Sequence, residues 1–181
     1  NTAVGQDAML SNTTGGNNVA VGINAMDANT TGSENTALGA FALDNNTTGS
    51  NNTAVGCEAL EKCTSAGGSG TGEQCTAVGF RSLEEMTTGY KNTALGAYAG
   101  DDVSTGYNNT FLGHDAGGNV TTGHSNIIIG QGASGGSSSV DHEITLAQGT
   151  NGNGSGTFYV HSTGGAYNGT NNASWNQTSD E

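Results

Sequence analysis

The chain of 181 residues contains 32 glycines and no proline, only 32% of its residues are apolar, and its formal net charge is −13. So few apolar residues exclude an ordinary globular core, while a charged fraction of only 10% and regularly spaced aliphatic residues argue against disorder. Lys62, Arg81 and Lys91 are the only basic residues, and no apolar run approaches the roughly 20 residues of a membrane span, so we expect neither nucleic-acid binding nor membrane insertion.

A five-residue phrase of the type Asn-Thr-Ala-Val-Gly recurs along the chain. Its copies begin at Asn1, Asn18, Asn35, Asn52, Cys75, Asn92, Asn109 and Asn126, and a degenerate copy begins at Glu143. The interval is 17 residues everywhere except between the fourth and fifth copies, where six residues, 65–70, are inserted. Self-similarity at a fixed period is typical of a solenoid.

Each 17-residue repeat is too short for two helices and carries β-branched residues and glycines instead of a helical period. Repeat positions two to four, such as Thr2 to Val4, predict a short strand that the glycine at position five ends. A second short strand is expected near Ala8 and Met9, followed by a turn at Asn-Thr-Thr-Gly. We therefore predict an all-β fold, a parallel β-solenoid (β-roll) spanning 1–147, whose turns stack at about 4.8 Å into a rod.

The substitutions among the repeats predict which side chains lie inside. Position four is always aliphatic, so we expect it to form the interior of the coil; its residues are Val4, Val21, Leu38, Val55, Val78, Leu95, Leu112 and Ile129. Position three points the opposite way and is Ala in six copies, followed by Phe111 and Ile128. Either other copies of the chain cover these small residues, or Ala is merely tolerated at the surface.

The phrase Asn-Thr-Ala-Val-Gly, followed two residues later by Ala-Leu, resembles the head repeats of trimeric autotransporter adhesins and the related repeats of phage and viral tail fibres. The resemblance covers residues 1 to about 147 and implies a left-handed parallel β-roll in a homotrimer. The period of 17 residues is longer than that of the usual adhesin-head unit.

Residues 158–181 resemble the stretch that joins a tail-fibre tip to the self-cleaving, endosialidase-type intramolecular chaperone. Ser179, Asp180 and Glu181 match the first three positions of the Ser-Asp-x-Arg-Leu-Lys motif of that family. The resemblance implies a processing site at Ser179, inert in this chain because the Lys of the motif is missing. It favours a viral fibre over a bacterial surface adhesin.

The period is lost after residue 147, and we expect 148–181 to form an irregular β cap at the distal end of the rod. The cap holds candidates for contact with a receptor, because aromatic rings stack on sugars. These candidates are Tyr159, His161, Tyr167 and Trp175.

Cys63 and Cys75 flank the insertion, and a disulfide between them would close that loop; Cys57 is left as a buried hydrophobe or an interchain link. No Cys or His spacing is typical of a zinc site, so we expect no metal and no cofactor. His114 and His124 are either plain surface residues or receptor contacts.

Acidic residues recur at repeat position ten, and a solvated edge explains them better than a calcium site. They are Asp27, Asp44, Glu61, Glu84 and Asp101.

These patterns favour a non-enzymatic, trimeric, extracellular module of a virion tail fibre or a cell-surface appendage, which attaches to a host surface receptor, expected to be a glycan. Three copies of a weak site would raise avidity. One alternative is an ice-binding β-solenoid that uses the Thr13-Thr14 pair and its copies, and another is a bacterial adhesin head. A glycan hydrolase needs paired carboxylates in a groove, whereas the acids here are expected along one edge.

Overall fold

The computed structural model of the chain is a parallel β-solenoid of about eight turns with a 17-residue repeat. It describes residues 1–64, 71–149, 151, 152, 154, 158–162 and 165–167, and within these ranges it contains no helix. The strands are β1 Thr2–Val4, β2 Val19–Val21, β3 Thr36–Leu38, β4 Thr53–Val55, β5 Thr76–Val78, β6 Thr93–Leu95, β7 Thr110–Leu112, β8 Ile127–Ile129, β9 Ile144–Leu146, β10 Phe158–Ser162 and β11 Gly165–Tyr167. The predicted solenoid is thereby confirmed.

All eleven strands form one sheet in chain order. From β1 to β9 each residue lies opposite its equivalent in the next repeat, as Thr36 lies opposite Thr53. Thr53 in turn lies opposite Thr76, so the insertion at 65–70 does not change the register. β10 extends the sheet in parallel, and β11 pairs with it antiparallel.

The predicted assignment of inside and outside is wrong. From the second turn onward the alanines of position three, such as Ala37 and Ala94, are fully buried, whereas Leu38 and Leu95 of position four are 47% and 49% exposed. The reason lies at position nine, where Leu43 and its equivalents adopt a left-handed backbone with φ near 52° and fill the interior. Residues 7–11 therefore form a turn instead of the predicted second strand. Little room remains at position three, and alanine fits it.

In the sixth and seventh turns, the large inward side chain moves from position nine to position three. Phe111 replaces the alanine of position three and is fully buried. Gly100 and Gly117 replace the Leu or Met of position nine, and a Cβ on either would lie 2.6 or 2.2 Å from the Phe111 ring. One large residue and two small ones thus keep the core filled.

A column of buried asparagines at position one joins the turns. Asn109 shows the pattern: its Nδ2 donates to the Gly123 carbonyl at 2.9 Å, and its Oδ1 accepts from the backbone N–H of Asn126 at 3.0 Å. The backbone N–H of Asn109 donates to Oδ1 of Asn92 at 2.9 Å. The column comprises Asn18, Asn35, Asn52, Asn92, Asn109 and Asn126. It pairs backbone groups that the interior shields from water.

Glycine at position five lets successive turns approach closely. Gly39 has a φ of 143°, and a Cβ placed there would lie 2.4 Å from the carbonyl oxygen of Gly56 in the next turn. Because the contact is with backbone, no side-chain adjustment relieves it.

Candidate functional site

The outward surface of β1 to β9, which we call the sheet face, consists of repeat positions two and four. It carries no charged residue. Its most exposed large apolar side chains are Val4, Val19, Leu38, Leu95, Leu112 and Ile127, with exposures of 57, 39, 47, 49, 41 and 39% in that order. In-register pairing arranges position four as a continuous aliphatic column along the rod, whereas Val19 and Ile127 lie in the column of position two, which consists mostly of threonine. A large exposed apolar patch of this kind typically marks an interaction surface.

A second feature is a groove on the corner that follows the strands, between repeat positions seven and ten of the third to fifth turns. Its volume is about 350 Å³. Its lining residues, which define the corner groove, are Phe41, Glu58, Glu61, Lys62, Arg81 and Glu84.

Three carboxylates of the corner groove lie close together. One oxygen from each of Glu58, Glu61 and Glu84 lies within 4.8 Å of the others. The Nε of Arg81 contacts Oε2 of Glu58 at 2.5 Å and Oε2 of Glu84 at 3.6 Å. Lys62 is paired with Glu85 at the rim. The guanidinium therefore holds two of the three carboxylates in place.

The third carboxylate, that of Glu61, differs from the other two. It has no hydrogen-bond donor among the described residues. Partial burial, and then the nearby charges of Glu58 and Glu84, raise its pKa above the ordinary value. Glu61 thus presents to the groove a water-accessible acceptor that no donor of the described chain occupies.

The acidic column at position ten is not a fully solvated edge. Partial burial, and to a lesser extent the nearby charge of Asp27, raise the pKa of Asp44. Partial burial, and to a lesser extent the nearby charges of Asp102 and Asp115, raise the pKa of Asp101 to about 6. The Oδ1 atoms of Asp27 and Asp101 are buried without a hydrogen-bond partner in the described part of the chain. The column is thus partly desolvated.

Aromatic rings stack along another corner of the coil. Tyr90 and Tyr107 lie face to face with ring centroids 4.9 Å apart, and Tyr107 stacks on His124 at 4.6 Å. The Nδ1 of His124 lies 2.7 Å from Oδ1 of Asp141. His114 is exposed and meets the edge of Tyr98 at 5.8 Å. The two histidines take part in ring contacts between turns, and their role as receptor contacts stays a prediction.

The predicted cysteine pair lies inside the coil. Cys63 and Cys75 are both buried and are free thiols in this structure. Burial raises the pKa of Cys75 to about 12, which disfavours its reactive thiolate. Disulfide formation between them stays a prediction.

The predicted cap residues fall at the end of the described chain. Tyr159 and His161 lie on β10, and Tyr167 lies on β11. Trp175 and Ser179 lie outside the described residues. Within the described part, no helix has the length and apolar character needed to cross a membrane.

Comparisons with protein-family models, with curated proteins and with solved structures each give no match. The two surfaces therefore have to be interpreted from their own chemistry. Sequence reasoning missed the corner groove because it followed the acids along one column. The three-residue spacing between positions seven and ten, as in Glu58 and Glu61, was the available signal.

Proposed function

We propose that this chain is a non-enzymatic, extracellular fibre module that forms a homotrimer through its sheet face and attaches a virion tail fibre to a host-cell receptor. The observation that carries the proposal is the uncharged sheet face, whose column at position four is aliphatic from β1 to β9. Leaving such a face in water is unfavourable at about 25 cal/mol per Å² of apolar surface.

A second and a third copy of the chain fit this face better than an unrelated partner. Each copy presents the same columns at the same spacing, so parallel copies match along the whole rod. None of the charged residues behind the net charge of −13 lies in β1 to β9, so repulsion between copies does not fall on the contact. The threonines of position two are small and permit close approach.

Attachment follows from the same arrangement. Three parallel rods present three equivalent receptor sites, and multivalency raises avidity without a stronger single contact. The cap residues Tyr159, His161, Tyr167 and Trp175 remain proposed receptor contacts. A bacterial adhesin head would use the same trimer in a different setting.

Light scattering tests the trimer. We expect the wild-type chain to have three times its monomer mass, and Leu95→Asp combined with Leu112→Asp to give a folded monomer with an unchanged circular dichroism spectrum. Leu10→Asp is the matched control, because Leu10 is 68% exposed but occupies position ten, where other repeats carry acids. A monomeric wild type, or a trimer that survives the double substitution, would refute the proposal.

Ice binding is a second candidate, although not through the Thr13-Thr14 pair expected from the sequence. The Thr13 hydroxyl is already occupied, since it donates to the Thr30 carbonyl at 2.9 Å. The threonines of position two, however, lie outward in register on the sheet face; they are Thr2, Thr36, Thr53, Thr76, Thr93 and Thr110. The ice-binding reading requires a monomer with thermal-hysteresis activity that Thr76→Tyr abolishes. A trimer without that activity excludes it.

A further inference from the structure

We propose that the corner groove binds an uncharged carbohydrate, with an apolar C–H face of one sugar ring on Phe41 and sugar hydroxyls donating to the groove carboxylates. This inference rests on the proposed function, because it names the chemical class of the receptor and places its site on the side of the rod. The site differs from the cap contacts expected from the sequence.

Repeat position seven carries unusual residues in the central turns. The backbone there is left-handed, with φ between 54° and 58° at Asp7, Asn24 and Asp115 and 63° at Gly132. Asp, Asn and Gly tolerate this conformation well. The four central turns have the same backbone but carry residues without that preference, namely Phe41, Glu58, Arg81 and Tyr98. At position nine the left-handed Leu and Met residues are explained by the core that they fill. At position seven no such burial explains the exception, and three of the four residues line the corner groove, as is expected at a functional site.

An aromatic residue, Phe41, lines the groove beside the carboxylates. Phe41 is 37% exposed, although a large apolar ring on a narrow rod gains most when it is covered. Glu58 and Glu61 follow in the next turn, so one ligand is able to contact the ring and the carboxylates together. An apolar platform beside a few fixed polar groups is the usual composition of a small-molecule site.

The carboxylates of the groove have acceptor positions available for a ligand. Arg81 contacts Oε2 of both Glu58 and Glu84, which fixes these carboxylates and leaves other lone pairs available. Glu61 has no donor among the described residues, and its raised pKa reflects the same partial burial and nearby charge. Sugar hydroxyls are able to take the place of water as donors to these carboxylates, and they bring no charge into the groove.

The charge balance favours a neutral saccharide over an acidic one. Three carboxylates line the groove, and both of its cationic side chains, Lys62 and Arg81, already contact acids. The carboxylate of a sialic or uronic acid would meet uncompensated negative charge in a chain whose net charge is −13. An uncharged ring avoids that repulsion.

The test is a titration of the whole chain, followed by saturation-transfer NMR, with lactose, maltotriose and chitotriose as neutral probes, sialyllactose as the acidic probe, and calcium chloride alone. We expect saturable binding of at least one neutral probe, weaker binding of sialyllactose, and no site for calcium. Phe41→Ala and Glu61→Gln should each weaken binding about tenfold, equivalent to about 1.4 kcal/mol. Asn24→Ala is the matched control at position seven outside the groove and should bind as the wild type does.

Several results would overturn the inference: no saturable binding of the three neutral probes, preference for sialyllactose, binding of calcium in place of sugar, or unchanged binding in both groove variants. The mass from light scattering is independent of all of them. A trimer that binds no sugar leaves the proposed fibre module standing without the groove site. A monomer whose sugar binding is lost in Phe41→Ala supports the groove site and refutes the trimeric fibre module.

Discussion

Gly39→Ala is the sharpest perturbation of the stacking between turns. The added Cβ would lie 2.4 Å from the carbonyl oxygen and 2.6 Å from the carbonyl carbon of Gly56, at a φ of 143° that side chains rarely adopt. Backbone strain costs about 1–3 kcal/mol. Overpacking against a neighbour that cannot rotate away costs about 1–3 kcal/mol more. We therefore expect a loss of about 2–6 kcal/mol, a large part of the about 5–15 kcal/mol that stabilises a typical domain.

Urea unfolding followed by circular dichroism measures this loss. Gly16→Ala is the matched control, because a Cβ at Gly16 meets nothing within 4 Å and should shift stability by no more than about 0.5 kcal/mol. Gly39 lies in the third turn, so fraying of the first turn does not relieve its clash. Equal urea midpoints for the two variants would refute the close stacking described for position five.

Three further predictions concern the core and the acidic column. Asn109→Ala leaves the buried N–H of Asn126 and the buried carbonyl of Gly123 without their partner. It should lower the free energy of unfolding, measured in urea, by about 2–5 kcal/mol, and an unchanged midpoint would count against the column of asparagines. The folded chain binds the proton of Asp101 more tightly than the unfolded chain, because its folded pKa is about 6; its contribution to stability is therefore complete below pH about 4 and is lost as the pH rises through 6. Asp101→Asn should reduce that decline and raise stability at pH 7 by on the order of 1 kcal/mol, after discounting for solvent screening of a half-buried group, and a steeper decline would contradict this. Phe111→Ala should cost about 3–5 kcal/mol in thermal or urea unfolding, and adding Gly117→Leu should recover part of it; a double variant less stable than the single one would contradict the exchange of volumes.

The sequence was sufficient to predict the period, the strand triplets and their parallel order. The eight copies of one phrase fix these features, and Thr36 opposite Thr53 is the predicted pairing. It was insufficient to predict which side of each strand is buried, because alternation separates two faces without saying which is inside. Choosing the larger aliphatic residue for the interior is the usual rule, and it failed because Leu43 and its equivalents had already taken that volume.

The exchange at Phe111 was readable in advance, since the same two turns lose the large residue of position nine and carry Gly100 and Gly117. The corner groove was harder to predict. Its carboxylates come from two turns, Glu58 and Glu61 from one and Glu84 from the next, and they meet only once the coil is built. Arg81 between them gives no periodic signal, because no other repeat has a basic residue at that position.

The column of asparagines gives the rod a direction. The links between turns run in one sense, from the backbone N–H of one turn to a side chain of the turn before it, as from Asn109 to the Oδ1 of Asn92. At the fifth turn the sulfur of Cys75 takes the place of that oxygen and accepts from the backbone N–H of Asn92. A whole unit added or removed anywhere along the column restores the same links on both sides. The length of the solenoid therefore changes in steps of about 4.8 Å per turn, while its cross-section stays the same. Such a molecule is able to vary in length by duplication of whole repeats.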